Sequence, residues 1–394
     1  MKDWKEYRLG EMIQCNPQVK LEKGKSYTLI DIDSIEIGSR YVKGKELTEY
    51  DGQSGCHFQN GDTVMARITP CLENGKIAQV QCESQKGFGS TELFVFRGME
   101  NKTDSNYVFN LMSMQFIRDL AANSMTGASG RQRADLGFIK RIKWNFPPLP
   151  IQQKIASILS AYDNLIQNYK KQIEALQTAA SELYKEWFVR FRFPGYQTAR
   201  FENGIPEGWK VEKLFDVAKI IYGYPFNSDE FCDDNSLNPV VRIRDILDNH
   251  TDTYTSESCD KKYWINPNEM LIGMDGIFHM TLWTGERALQ NQRTVRVTSK
   301  IKNLSNYYLY FSLYPQIKAL EQMIVGTTVA HLGDKHLKKI TILVPAEKNL
   351  KMSYERLEPM MNRIYSLQQQ ITNLTQQRDL LLPRLMSDKL EVLK

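Results

Sequence analysis

The chain has 394 residues, 42% hydrophobic and 25% charged, with a formal net charge of +5. Such length and composition exclude a disordered or low-complexity chain and fit two globular units with connectors. The charged start "MKDWKEYRLGEM" lacks the apolar core of a signal peptide and no stretch is apolar enough to cross a bilayer, so a cytoplasmic protein is expected whose mild basicity permits a polyanionic partner.

In chain order, the first segment "DWKEYRLGEMI" places Trp4, Leu9 and Ile13 in a short lead-in. A turn and apolar strand follow in "NGDTVMARITP", and an alternating strand in "GSTELFVFRG". Next come a Gly-punctuated polar loop, "SMTGASGRQRADLG", and a basic run, "FIKRIKWNF", expected as a strand and closed by Pro147, Pro148 and Pro150. A helix then sets off. Its apolar positions Ile151, Ile155, Ile158, Tyr162, Leu165, Tyr169, Ile173, Leu176, Ala180, Leu183 and Trp187 step by fours and threes with one doubled four, a coiled-coil seam with a stutter. Leu159 and Phe188 belong to the same helix, which is expected to end before Pro194-Gly195 and to run to roughly 60 Å at 1.5 Å per residue.

After the turn at 204–208 the pattern restarts: "GWKVEKLFDVAKII" from Gly208 matches the lead-in, "PNEMLIGMDGI" the first strand, and "NQRTVRVTS" the alternating strand. "MIVGTTVAHLGDKHLKKITILVP" again reads as polar loop, basic strand and proline. All these matches fall in one order at an offset of about 200, the signature of an internal duplication. Leu357, Met361, Ile364, Leu367, Ile371, Leu374, Leu381 and Leu385 form a second seam, with Pro359 expected in a first helical turn and Pro383 marking a break. Two long helices separated by one globular unit can lie antiparallel; the plainer alternative makes them ordinary core helices of two domains. The expected fold class is α+β. It comprises a first globular domain (1–150), helix 1 (151–193), a second globular domain (194–348), and helix 2 with its tail (349–394).

Motifs that carry catalysis are missing. There is no GxxxxGK[ST], no GxGxxG after a strand, no Pro-Asp nuclease opening and no Gly-x-Ser-x-Gly; each Asn-Pro pair lacks the Pro-aromatic continuation used in amino-methylation. The six cysteines form no CxxC pair, and the adjacent Cys56 and His57 lack partners at zinc spacing, so neither metal nor disulfide is expected. A binding protein remains.

Duplex readers use cations for phosphates and forked or amide side chains for base edges. The first half offers Arg67, Thr69 and Lys76, then Arg131, Gln132 and Arg133. In the second half the candidates are Tyr222, Tyr224, Arg242, Arg244, Gln292, Arg293, Thr327, Thr328, His331 and Lys335. Such residues also simply solvate loops, and the period-two spacing of Arg242 and Arg244 fits the exposed face of a strand. Lys140, Arg141 and Lys143 fit a phosphate-facing or solvated strand face. What favours recognition is that basic loops recur at corresponding places in two halves that have otherwise diverged.

The order "PPLPIQQKIASILSAYDNLI", "ELYKEWFVRFRFPG", "GIPEGWK" and "LLLPRLMSDKLEV" resembles the specificity (S) subunit of type I restriction–modification enzymes over essentially the whole chain. The second helix departs from the pattern, because "VPAEKNLKMSYERLEPMM" lacks the Gln-Gln-x-x-Ile form. The resemblance implies two target recognition domains, each reading half of an asymmetric bipartite site, with helices that set the spacer and dock two methylation subunits. Restriction subunits would join these, and S-adenosylmethionine, ATP and magnesium would reside on the partners, the chain itself being non-catalytic. A coiled-coil scaffold without sequence-specific reading is the alternative.

Overall fold

The computed structural model describes residues 4–44, 46–126, 132–324, 331–387 and 389–390. The chain forms two compact units, Met1–Gln167 with Asn373–Lys394, and Asn168–Thr372. Each unit therefore takes part of both long helices, Leu149–Tyr184 and Glu347–Met386, so the helices belong to the cores of the globular parts.

In the first unit, strands order as Ile13–Cys15, Leu93–Gly98, Thr63–Ala66, Ile77–Val80 and Tyr41–Val42. The central strands are buried on both faces, so they read as continuous apolar runs. Alternate side chains serve different cores. Phe94 and Phe96 pack with Met65 and Ile77 towards the helices Ser105–Ser113 and Gln115–Asn123. Leu93 and Val95 pack with Val64, Ala78, Ile30 and Phe58. The last two lie on a second sheet ordered Leu47–Glu49, Ser26–Ile30, Lys86–Gly89, Cys56–Gln59.

The second unit repeats this plan, with four strands in place of five in the larger sheet. Ala218–Tyr222, Thr294–Ser299, Met270–Gly273 and Met280–Leu282 form one sheet. Tyr254–Thr255, Asn238–Val241, Ala288–Gln290 and Trp264–Ile265 form the other. Each small sheet contains one parallel pair flanked by antiparallel strands. A separate ribbon, Lys5–Arg8 with Lys143–Phe146, recurs as Lys210–Lys213 with Thr341–Val344. The bond from Leu9 N to Ile142 O (2.9 Å) recurs from Leu214 N to Ile340 O (3.0 Å).

These ribbons bring the start of each half to the strand preceding its long helix. At the first junction, buried Gln152 joins three segments. Its Nε2 donates to Pro147 O (2.9 Å) and Lys102 O (3.1 Å), while its Oε1 accepts from Asp104 N (3.1 Å). A buried amide so satisfied holds one geometry, and Pro150 sits in the first turn, where its missing N–H costs nothing. The first helix ends in a single π turn, Lys185–Val189, whose Trp187 and Phe188 are buried. Phe188 meets Tyr308 edge to face (4.6 Å between ring centroids) and Phe193 packs on Trp209 (5.2 Å), so the aromatic run builds the second unit's core.

Several expectations about the helices change. Leu165 is 39% exposed while Ile166 beside it is 6% exposed, so the buried stripe runs Gln152, Ile155, Ala156, Leu159, Asp163, Ile166. Periodicity counted only apolar residues, but two stripe positions are polar and satisfied internally. Ile151 and Tyr162 are half-buried, as are Leu176 and Leu183 against the second unit's core. In the second helix Leu357, Met361, Ile364, Leu367, Ile371 and Leu385 are buried, with Leu374 and Leu381 half-buried. Neither proline breaks it: Pro359 lies well inside, and the helix continues past Pro383 to Met386. Within the second unit Arg363 Nη2 donates to Gln172 Oε1 (3.3 Å) and Arg356 lies over Trp187 (5.7 Å), so the segments run antiparallel.

Candidate nucleic-acid interface

In the first unit, three segments meet at one end of the larger sheet. Arg67 N donates to Glu92 O (2.9 Å), Ala134 N donates to Arg67 O (2.8 Å), and Thr69 N donates to Gln132 O (3.1 Å). Arg67, Thr69, Gln132 and Arg133 are thereby neighbours. The Arg67 guanidinium lies over the Phe94 ring (4.8 Å), and its buried Nε has no hydrogen-bond partner, nor has the Thr69 hydroxyl. Arg133 is engaged by Glu92, with Nη2 2.6 Å from Oε1 and Nε 2.9 Å from Oε2. This pair holds the Glu92 carboxyl below the usual carboxylate range. Lys76 is not part of the group; its ammonium donates to Ile32 O (3.0 Å) and meets Asp33 (3.4 Å). Arg131 lies outside the described residues.

The second unit builds the same frame from different side chains. Met274 N donates to Arg293 O (2.9 Å) and Leu332 N to Met274 O (2.7 Å), as Arg67 does with Glu92 and Ala134. The isolated bridge Ile68–Arg133 recurs as Asp275–His331. Frame positions therefore correspond: Arg67 to Met274, Ile68 to Asp275, Glu92 to Arg293, and Arg133 to His331. The acid has moved. Asp275 accepts His331 Nδ1 (2.6 Å) and lies 3.4 Å from Arg293, which takes a left-handed φ of 68°.

Other second-half candidates gather around this frame. Gln292 N donates to Tyr224 O (2.8 Å) and its side chain is exposed. Tyr224 packs on Phe226 (4.8 Å) and Tyr263 (5.1 Å). Gly223 allows the approach, because a Cβ there would meet Asn291 O at 1.8 Å. Tyr222 donates its hydroxyl to Asp334 (2.8 Å); burial, then this carboxylate, pushes its phenol up. Asp334 is held low, first by Lys338 and then by Tyr222. Lys335 is exposed on the turn Asp334–Leu337. Thr327 and Thr328 lie outside the described residues.

Some expectations need correction. Arg242 and Arg244 are not on a strand face, since the strand Asn238–Val241 stops first and Ile243–Asp245 forms a 3₁₀ turn. There Arg242 pairs with Asp245 (3.5 Å) and Arg244 is 69% exposed. Lys140 and Arg141 sit in the last turn of the helix Leu136–Arg141, where cations oppose the negative end of the helix dipole; only Lys143 is on the strand. Sequence reasoning also passed over Glu92, Asp275 and Asp334, the acids that engage the candidates Arg133, His331, Arg293 and Tyr222. Among the described residues, no cluster of His, Cys, Asp or Glu could hold a metal ion, and no helix is long and apolar enough to cross a membrane.

Two like frames carrying different cationic, amide and aromatic side chains define a duplicated recognition protein. The family profile described as "Type I restriction modification DNA specificity domain" matches residues 1–178 and 206–376, and the chain belongs to this family. It is thus a DNA-recognition subunit of the type I restriction–modification kind and itself non-catalytic. It is 28% identical to the MjaIX specificity subunit of Methanocaldococcus jannaschii, over 73% of this chain and 68% of that protein. To the MjaVIII specificity subunit of the same organism it is 26% identical over 92% and 87%. The solved S subunit from M. genitalium shares the fold, with a TM-score of 0.58 at 13% identity over 98% and 96% of the two chains.

Proposed function

We propose that each unit reads one half of an asymmetric, bipartite DNA site, with the long helices setting the unread spacer and docking two methylation subunits. The observation that carries this reading is the shared backbone frame, on which the acid–base arrangement differs at corresponding positions. A frame kept while its exposed side chains change is what two readers of different sequences require, because phosphate contacts position a protein and base-edge contacts specify. A scaffold has no such need for unlike side chains on like frames. Restriction subunits join the complex, S-adenosylmethionine, ATP and magnesium reside on the partners, and the assembly works in the cytoplasm.

The test is methylome sequencing of a host expressing the chain with its methylation subunit. Adenine methylation at one split motif is expected. A stable complex that modifies no split motif contradicts the reading, and binding that does not distinguish duplex sequences in gel shifts favours the scaffold.

A further inference from the structure

Each unit contains a cavity between its helix segments and its reading domain. In the first it measures about 520 Å³, bordered by Leu159 and Asp163 of one long helix, Arg378 and Leu382 of the other, and Asn110 and Phe116 of the domain. In the second, about 320 Å³ lies between Ile173 and Gln177, Ile364 and Gln368, and the domain residues Tyr307 and Phe311. The recurrence at corresponding places sets these cavities apart from accidental surface relief.

The first cavity has more donors than acceptors. Arg40, Arg118 and Arg378 line it against two carboxylates, Asp163 and Asp379. Asp163 is shared between Arg40 (2.9 Å) and Arg378 (2.8 Å). Arg118 reaches only neutral acceptors, Glu73 O (3.4 Å) and Gln115 Oε1 (2.5 Å), and its buried Nε has no partner. Asn110 is 3% exposed, yet its Nδ2 is unpartnered as well. Buried donors are normally satisfied, so the orphaned Asn110 amide beside a surplus guanidinium, whose own Nε is orphaned, marks a place for an anionic acceptor. The rim is apolar: Ile37 is 60% and Phe116 54% exposed.

We propose that this cavity is the docking pocket for an acidic side chain flanked by bulky apolar residues, carried by a segment of the methylation subunit. The one-charge surplus and the orphaned donors select a carboxylate, and exposed Ile37 and Phe116 select its apolar neighbours. Nucleic acid offers no such neighbours, and a small acid would leave the rim uncovered. The second cavity has no charged residue in its lining, and its Gln177, Gln368, Asn249 and Asn268 amides accept the same acid more weakly. Two copies of one partner thus bind with unequal affinity. This inference rests on the methylation-subunit docking proposed above.

The test is titration of the full chain, wild type and variants, with the methylation subunit of the same system. Phe116→Glu adds repulsion at an exposed site, and Asn110→Asp supplies the missing anion from within. Each is expected to weaken the tighter of two binding steps by roughly tenfold or more, and Phe116→Glu, at an exposed position, does so with melting temperature unchanged. Variants that bind like wild type overturn the pocket while leaving the DNA-recognition reading intact. A wild-type chain that takes up no methylation subunit overturns the docking reading itself.

Discussion

Replacing Asp163 by alanine is expected to destabilise the first unit more than any surface change. Its side chain is 4% exposed on the first long helix and receives Arg40 Nη1 at 2.9 Å and Arg378 Nη1 at 2.8 Å. Arg40 is itself 2% exposed, its other donors meeting only neutral amide oxygens of Gln79, Asn106 and Asn110. With charge centres about 4 Å apart and an effective dielectric of about 20, each guanidinium gains roughly 4 kcal/mol from the carboxylate. Desolvation of the three ions offsets much of that gain. Removing the carboxylate keeps the desolvation of Arg40 and abolishes its compensation, so about 3–5 kcal/mol is lost. For a unit of this size the loss corresponds to a fall of roughly 10 °C in melting temperature. Urea unfolding of the full chain, followed by circular dichroism, measures it. The double variant Arg40→Met with Asp163→Leu should recover most of the stability, because a buried pair replaced by apolar residues is often neutral and Arg378 keeps its contact with Asp379 (2.8 Å). A loss below about 1 kcal/mol for the single variant refutes the argument that this buried network holds both helices to the first domain.

Thiol reactivity should sort the cysteines by burial. Burial pushes the Cys56 thiol up to about 12 and the Cys15 thiol to about 11, whereas Cys232 is exposed. Iodoacetamide at pH 8 is therefore expected to label Cys232 first by mass spectrometry, and equal labelling of Cys56 contradicts this. The Glu92–Arg133 pair should respond to acid. Because the folded Glu92 carboxyl is held below its ordinary value, its contribution is complete above the unfolded carboxylate pKa of about 4.3 and is lost as pH falls through the lowered value. Carbon NMR titration of Glu92 measures the shift, and Arg133→Gln should return the titration upward.

The duplication was legible because strands buried on both faces leave apolar runs that survive divergence. Thr63–Ala66 and Met270–Gly273 were aligned from sequence, as were the strands within "LFVFRG" and "TVRVTS". The helix register was legible only in part. Asp163 and Gln152 look like surface residues in an apolar count, and only their distant partners Arg40, Arg378, Lys102 and Pro147 make them buried. Pro359 and Pro383 misled for a related reason: packing along the helix outweighs the local cost of a proline. At the candidate interface the cations were visible as residue types. Which of them are free was not, because Glu92, Asp275 and Asp334 approach from segments far along the chain.

Independent reading by two units is tested most directly by exchanging residues 1–150 for the corresponding part of another specificity subunit and sequencing the methylome. One half of the split motif should change to that of the donor, while the other half stays as it was. A change in both halves, or in neither, contradicts independent readers.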